Sequence, residues 1–135
     1  MSAAVVTLRW SGDQRYEGGR VGGPTVVIDS DGIAGPSPTT ALLLALAGCM
    51  AVDVIDIAAK MRVPVAGLEV EVAGDRRDEP PRRFTAIRLR YAVSGVAPED
   101  EGKVQRAVDL SRDKYCSVWH TLKDDIELSI AIELR

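Results

Sequence analysis

The sequence is poor in histidine and cysteine, two side chains that often take part in catalysis or bind metals. It has 135 residues, among them one histidine and two cysteines. A closed zinc site takes four ligands, usually at short characteristic spacings, and this set cannot supply them. The formal net charge of −3 leaves no basic surface for nucleic acid or for an anionic membrane. We therefore expect no metal ion and no cofactor, and neither nucleic acid nor membrane as a partner.

Targeting signals are also missing. The first residues lack the basic and apolar segments of a secretory signal peptide, and no lipidation motif is present. We expect a cytoplasmic protein, in which reducing conditions disfavour a standing structural disulfide. The apolar run 41–52 is about half the length that crosses a bilayer, and Asp53 and Asp56 follow it. This run predicts a core helix.

The length fits a single domain, residues 1–135, and the patterns along it predict both strands and helices. Ser37 as N-cap and Pro38 in the first turn predict a long helix that ends at about Lys60 or Met61. Its first half is apolar on every side, which is typical of a helix surrounded by protein. Before this helix we predict strands 5–10, 14–17 and 25–29, separated by Ser11-Gly12-Asp13 and by the glycine pairs 18–19 and 22–23.

After the long helix, alternation with period two predicts strands 67–72 and 84–93 around a charged, solvated hairpin loop at 75–83. A second helix begins at Pro98 and continues to about Ser111, and a short helix follows near Cys116. Apolar residues at every second position from 126 to 134 predict a final strand. Three strands, a helix, two strands, a helical region and a strand favour an α+β fold.

Cys49 and Cys116 are the main candidates for chemistry. Two thiols in a chain otherwise free of cysteine are either a redox couple or two packed small apolar residues. A reactive thiol acts as its thiolate, which nearby cations favour. Cys49 lies some three turns inside its helix, where the helix dipole gives little help. The cation must come from elsewhere, and of Arg9, Arg15 and Arg20 we prefer Arg15, just beyond the first turn.

Two further polar residues lie one helical turn from a cysteine. Asp53 follows Cys49 by four residues and either faces away or pairs with the same arginine. His120 follows Cys116 by four residues and either tunes that thiol or is an ordinary, partly buried side chain. A Cys-His protease is disfavoured, because no nucleophile motif surrounds either cysteine.

Two groups of residues far apart in the chain carry a family resemblance. The first is the Pro-Ser-Pro helix opening at 36–38 with Ala47-Gly48-Cys49 and Ile55-Asp56, and the second is the segment 106–118, which ends in Lys114-Tyr115-Cys116-Ser117-Val118. In these residues, and in its order of elements, the chain resembles the OsmC/Ohr family of thiol-dependent hydroperoxide reductases. It is most similar to the YhfA-like branch.

This resemblance implies an intertwined α+β homodimer with its long helices at the centre and two active sites at the subunit interface. It also implies that Cys49 attacks an organic hydroperoxide and becomes a sulfenic acid. Cys116 then condenses with it to a disulfide, which a dithiol reductant opens again. The implied role is defence against oxidative stress.

The family pattern also includes an arginine from the early strands, matched here to Arg15, and a glutamate near the start of the cysteine helix that orients it. Thr39 and Thr40 occupy that turn in this sequence. They accept hydrogen bonds but cannot hold an arginine by charge. The alternatives are therefore a redox-sensing or small-ligand-binding dimer with little peroxidase turnover, and a structural protein with packed cysteines.

Overall fold

A computed structural model describes residues 2–135 of the chain, and the predicted α+β order of elements is confirmed. The elements are β1 (Val6–Gly12), β2 (Arg15–Arg20), β3 (Thr25–Asp29), α1 (Pro38–Lys60), β4 (Gly67–Arg76), β5 (Phe84–Ser94), α2 (Glu101–Leu110), α3 (Ser117–Thr121) and β6 (Glu127–Leu134). A 3-10 turn, Pro98–Asp100, precedes α2, and a π-helical turn, Ser111–Tyr115, follows it. The chain forms two compact units that divide between Leu42 and Leu43.

The first unit contains the antiparallel sheet β1-β2-β3. The prediction that Gly18 and Gly19 end β2 is wrong, because the strand continues through both to Arg20. The reason is close packing: a Cβ on Gly18 would lie 2.7 Å from the carbonyl oxygen of Thr7 on the neighbouring strand. These glycines therefore allow a close approach between strands instead of a turn.

One face of this sheet is apolar and open to solvent. Leu8, Gly18 and Val26 align across the three strands, and so do Trp10, Tyr16 and Ile28. Leu8 is 57% exposed and Trp10 is 66% exposed. A continuous apolar surface of this kind is typical of an interaction site.

The loop from β3 to α1 is organised by the carboxylate of Asp29, which is buried. It accepts hydrogen bonds from the backbone N–H groups of Asp31, Ile33 and Ala34 at 2.9, 3.3 and 2.8 Å. These bonds favour the charged form and lower the pKa of Asp29. Ser37 then caps α1, since its Oγ accepts from the backbone N–H of Thr40.

α1 has the predicted length, but it is only partly covered. Its buried residues are Leu46, Ala47, Met50, Val54 and Ala58. The expectation that protein surrounds its first half is wrong for the single chain, because Leu44 is 59% exposed. Among the described residues, α1 alone is long and apolar enough to cross a membrane, judged by length and composition, and core helices of soluble proteins pass the same test.

The second unit contains the sheet β4-β5-β6, in which β5 is central. β4 and β5 are antiparallel, whereas β5 and β6 are parallel. Parallel neighbours need a crossover connection, and here α2 and α3 provide it. Every second residue of β5, from Ile87 to Val93, is buried in the core that also contains the buried side of α1.

Candidate functional site

The structure brings Cys49 and Cys116 together. Both are free thiols, and Cys49 packs against the core cluster that contains Cys116. Cys49, three turns into α1, is half-buried, whereas Cys116 is 0% exposed. The two thiols therefore differ in access to solvent although they are near enough for Cys49 to raise the pKa of Cys116.

Cys116 lies between the π-helical turn and α3. Its backbone N–H donates to the carbonyl oxygen of Ser111 at 2.8 Å, which closes the π-helical turn. Cys116 is also the N-cap of α3, and its Sγ accepts a hydrogen bond from the N–H of Trp119 at 3.3 Å. This cap directs the thiol towards the core instead of solvent.

Burial raises the pKa of Cys116 to about 11. The N–H of Trp119 opposes this shift because it favours the thiolate. The neighbouring Cys49 thiol and the charge of Asp53 raise the pKa further. Cys116 is thus held as a neutral thiol at neutral pH.

Asp53 lies one turn along α1 from Cys49, and its partner is a serine. The hydroxyl of Ser111 donates to Oδ2 of Asp53 at 2.8 Å, and Ser111 is fully buried. Neither residue was predicted to meet the other. In the sequence, Ser111 follows Val104, Ala107 and Val108 with helical spacing, and a lone serine at the end of such a series gives no sign of its partner.

Tyr91 completes the polar side of this cluster, and sequence reasoning missed it. Its side chain is 0% exposed, and within residues 2–135 its hydroxyl has no hydrogen-bond partner. Burial raises the pKa of Tyr91, and the Cys116 thiolate, when it forms, and the charge of Asp53 act in the same direction. The only available signal was a tyrosine among the alternating apolar positions of β5.

His120 is exposed, so the expected partial burial is wrong. Its Nε2 lies 2.9 Å from the carbonyl oxygen of Arg112, which is a backbone contact on the surface. The imidazole of His120 is therefore engaged at the surface, whereas the Cys116 side chain is buried.

Arg15 lies on β2 in the first unit and is exposed. Its Nη2 pairs with Oδ2 of Asp13 at 3.0 Å, and its charge contributes to the low pKa of Asp29. These residues line an open cavity of about 340 Å³ in this unit. The assignment of Arg15 to the activation of Cys49 stays a prediction.

Thr39 and Thr40, which replace the family glutamate, lie in the first turn of α1. Oγ1 of Thr40 accepts a hydrogen bond from the N-cap Ser37 at 2.9 Å. The first turn of α1 contains no acidic residue. This turn therefore offers neutral acceptors only.

Comparison with known proteins gives one consistent family. The family model described as "OsmC-like protein" matches residues 29–131. Protein YhfA of Escherichia coli strain K12 is 37% identical over 128 residues, which cover 94% of this chain and 95% of that protein.

Solved structures show the same fold. A hypothetical protein from Aquifex aeolicus VF5 has a TM-score of 0.87 at 28% identity, covering 100% of this chain and 98% of that chain. The organic hydroperoxide resistance protein OhrB of Bacillus subtilis has a TM-score of 0.60 at 19% identity, covering 99% and 98%. The second likeness concerns the fold alone.

Proposed function

The chain belongs to the OsmC-like protein family, and from this premise we propose that it reduces organic hydroperoxides with a pair of thiols, in cytoplasmic defence against oxidative stress. Cys49 is the thiol that attacks the peroxide, and Cys116 is the thiol that resolves the product. The observation that carries the proposal is that the fold brings the only two cysteines, which are far apart in the sequence, to the same part of the core, where Cys49 packs against the cluster that contains Cys116. Two cysteines that served only as small apolar residues would not need to be neighbours.

The difference in burial assigns the order of the two thiols. A peroxide can reach the half-buried Cys49, whereas Cys116 is 0% exposed and its pKa is about 11. Only the thiolate is a strong nucleophile, so Cys116 is a poor first attacker at neutral pH. It reacts in the second step, when its neighbour has become electrophilic.

The reaction consists of two displacements, the first at an oxygen of the peroxide and the second at the sulfur of Cys49. In the first, the Cys49 sulfur attacks the hydroperoxide, an S–O bond forms, the O–O bond breaks, and the alcohol leaves with a proton. In the second, the Cys116 sulfur attacks the Cys49 sulfur, an S–S bond forms, the S–O bond breaks, and water leaves with the Cys116 proton. A dithiol reductant then restores both thiols by exchange.

We further propose a homodimer whose sites lie at the subunit interface. The open apolar face of the first sheet and the exposed apolar residues of α1 support it, since a soluble chain rarely leaves such a surface uncovered. Large apolar side chains exposed on these elements are Val6, Leu8, Trp10, Val26, Leu44, Val52 and Ile55. Sedimentation at micromolar concentration should give twice the chain mass, and a clean monomer would contradict the interface.

A redox-sensing or small-ligand-binding dimer is the second candidate. The observation that favours it is the neutral first turn of α1 at Thr39 and Thr40. Without an acidic partner there, the role proposed for Arg15 in activating Cys49 lacks the charge that would fix its geometry. Arg15 pairs instead with Asp13.

The deciding experiment is thiol loss in the reduced protein after one equivalent of cumene hydroperoxide, with hydrogen peroxide in parallel. We expect loss of both thiols to a Cys49–Cys116 disulfide, and faster loss with the organic peroxide. A Cys49→Ser variant should lose turnover, and a Cys116→Ser variant should accumulate a trappable sulfenic acid. Two unchanged thiols after long exposure would contradict the peroxidase and favour the second candidate.

A further inference from the structure

Two hydrogen bonds connect the Cys49 side of α1 to Cys116. Asp53 lies four residues after Cys49 and therefore on the same face of the helix. Its Oδ2 accepts from the hydroxyl of Ser111 at 2.8 Å. The carbonyl oxygen of the same serine accepts from the backbone N–H of Cys116 at 2.8 Å. Ser111 thus bonds to Asp53 through its side chain and to Cys116 through its backbone.

Ser111 is the only buried residue of the π-helical turn, Ser111–Tyr115. The last three residues of the turn, from Asp113 to Tyr115, are exposed. The bond from Ser111 to Asp53 is therefore the side-chain hydrogen bond that joins the buried start of this turn to α1.

We propose that Asp53 is a positioning residue for disulfide closure: by accepting the Ser111 hydroxyl, it holds the turn that carries Cys116 against the Cys49 face of α1. The inference rests on the proposed function, since closure is the second step of that reaction. In this step the S–S bond forms and the S–O bond of the sulfenic acid breaks. The Cys116 proton leaves with the hydroxyl as water, and the hydroperoxide is the oxidant.

The carboxylate of Asp53 has two effects on Cys116 that oppose each other. Its hydrogen bond with Ser111 places Cys116, which favours closure. Its negative charge disfavours the Cys116 thiolate, which slows closure. The groups facing the thiol of Cys116 are Cys49 and Asp53 on α1, Tyr91 on β5 and the N–H of Trp119 on α3. Removing the hydrogen bond and removing the charge should therefore change the rate in opposite directions.

Three variants separate these effects. Asp53→Ala and Ser111→Ala each remove the hydrogen bond, from opposite partners, and Asp53→Ala also removes the charge, so Ser111→Ala measures the loss of the hydrogen bond alone. Asp53→Asn removes the charge, and its side-chain oxygen still accepts from Ser111. Asp56→Ala is the matched control, because Asp56 is an exposed acid on the same helix.

The first measurement is stopped-flow oxidation by cumene hydroperoxide, with sulfenic acid formation and disulfide closure followed separately. We expect closure to slow by about 10-fold or more in Asp53→Ala and Ser111→Ala, because misplacing reacting atoms by about 1 Å costs rates of that order. The first step should change by less than about 3-fold. Closure in Asp56→Ala should stay at the wild-type rate. Closure in Asp53→Asn should equal or exceed the wild-type rate.

The second measurement is equilibration of each variant in reduced and oxidised glutathione, which reads the effective concentration of the thiol pair without any peroxide. We expect a decrease of about 10-fold or more in Asp53→Ala and Ser111→Ala only. A wild-type protein that ignores peroxide but shows this pattern would refute the proposed function and support the positioning role. Wild-type values in both alanine variants, or an equal loss in Asp53→Asn, would overturn the positioning role. Thermal unfolding of the reduced proteins establishes that each variant is folded. If one of the two alanine variants does not fold, the other is enough for the test.

Discussion

Cys116 should be the less reactive of the two thiols until Cys49 has been oxidised. The perturbation that isolates it is Cys49→Ser, with iodoacetamide as the probe. Burial is the largest cause of its raised pKa of about 11 and remains in this variant, although the contribution of the Cys49 thiol is lost. At pH 7 a pKa of about 11 leaves roughly 300-fold less thiolate than the ordinary value of about 8.5.

Part of this deficit is offset, because a more basic thiolate is a better nucleophile. With a Brønsted coefficient of about 0.45, the offset is roughly 10-fold, so ionisation alone predicts alkylation roughly 20- to 30-fold slower than for a free cysteine. Poor access to the buried sulfur slows it further. The rate should rise about tenfold per pH unit from pH 7 to pH 10, with Cys116→Ser as the reference for Cys49. A plateau below pH 9, or a rate equal to that of free cysteine, would refute the reasoning.

Two predictions concern stability. Tyr91→Phe removes a buried hydroxyl that has no partner among residues 2–135, so the free energy of unfolding in denaturant should stay the same or rise by up to about 1 kcal/mol. A loss of more than about 1 kcal/mol would mean that the hydroxyl is bonded. Asp29 has a lowered pKa, so its contribution to stability is present above the unfolded pKa of about 3.9 and is lost as the pH falls through the folded value. Asp29→Asn should therefore lower the melting temperature at pH 7 and converge with the wild type near pH 2, and a constant difference would contradict this.

Much of the fold follows from local patterns. The Ser37 cap and the uninterrupted apolar run predict α1, and the structure has it at Pro38–Lys60. The alternating apolar residues after Ile126 predict β6. In both cases the signal lies within one element, so no knowledge of its neighbours is required.

What could not be predicted depends on contacts between distant segments. Nothing in β6 indicates that it pairs in parallel with β5, because alternation defines a strand and not its partner. Gly18 looks like a turn residue until the carbonyl of Thr7 is seen next to it. The bond from Ser111 to Asp53 joins α1 to the end of α2, and no pattern in the sequence connects these two residues.

The candidate site shows the same division. Cys49 and Cys116 were found because cysteine is rare in the chain, and the resemblance predicted their contact. Tyr91 was missed because a core tyrosine usually signals packing. The half-buried and buried positions of the two thiols, on which their proposed order of reaction rests, come from the fold alone.

The parallel pairing of β5 with β6 also has a consequence for biosynthesis. Cys116 lies within the crossover between these strands, and the crossover is fixed at both ends only after β6 has joined the sheet. Cys49 leaves the ribosome before Cys116 and before β6. We therefore expect the two thiols to stay apart until the crossover has packed against α1, so that they do not form a pair while this part of the chain is being made.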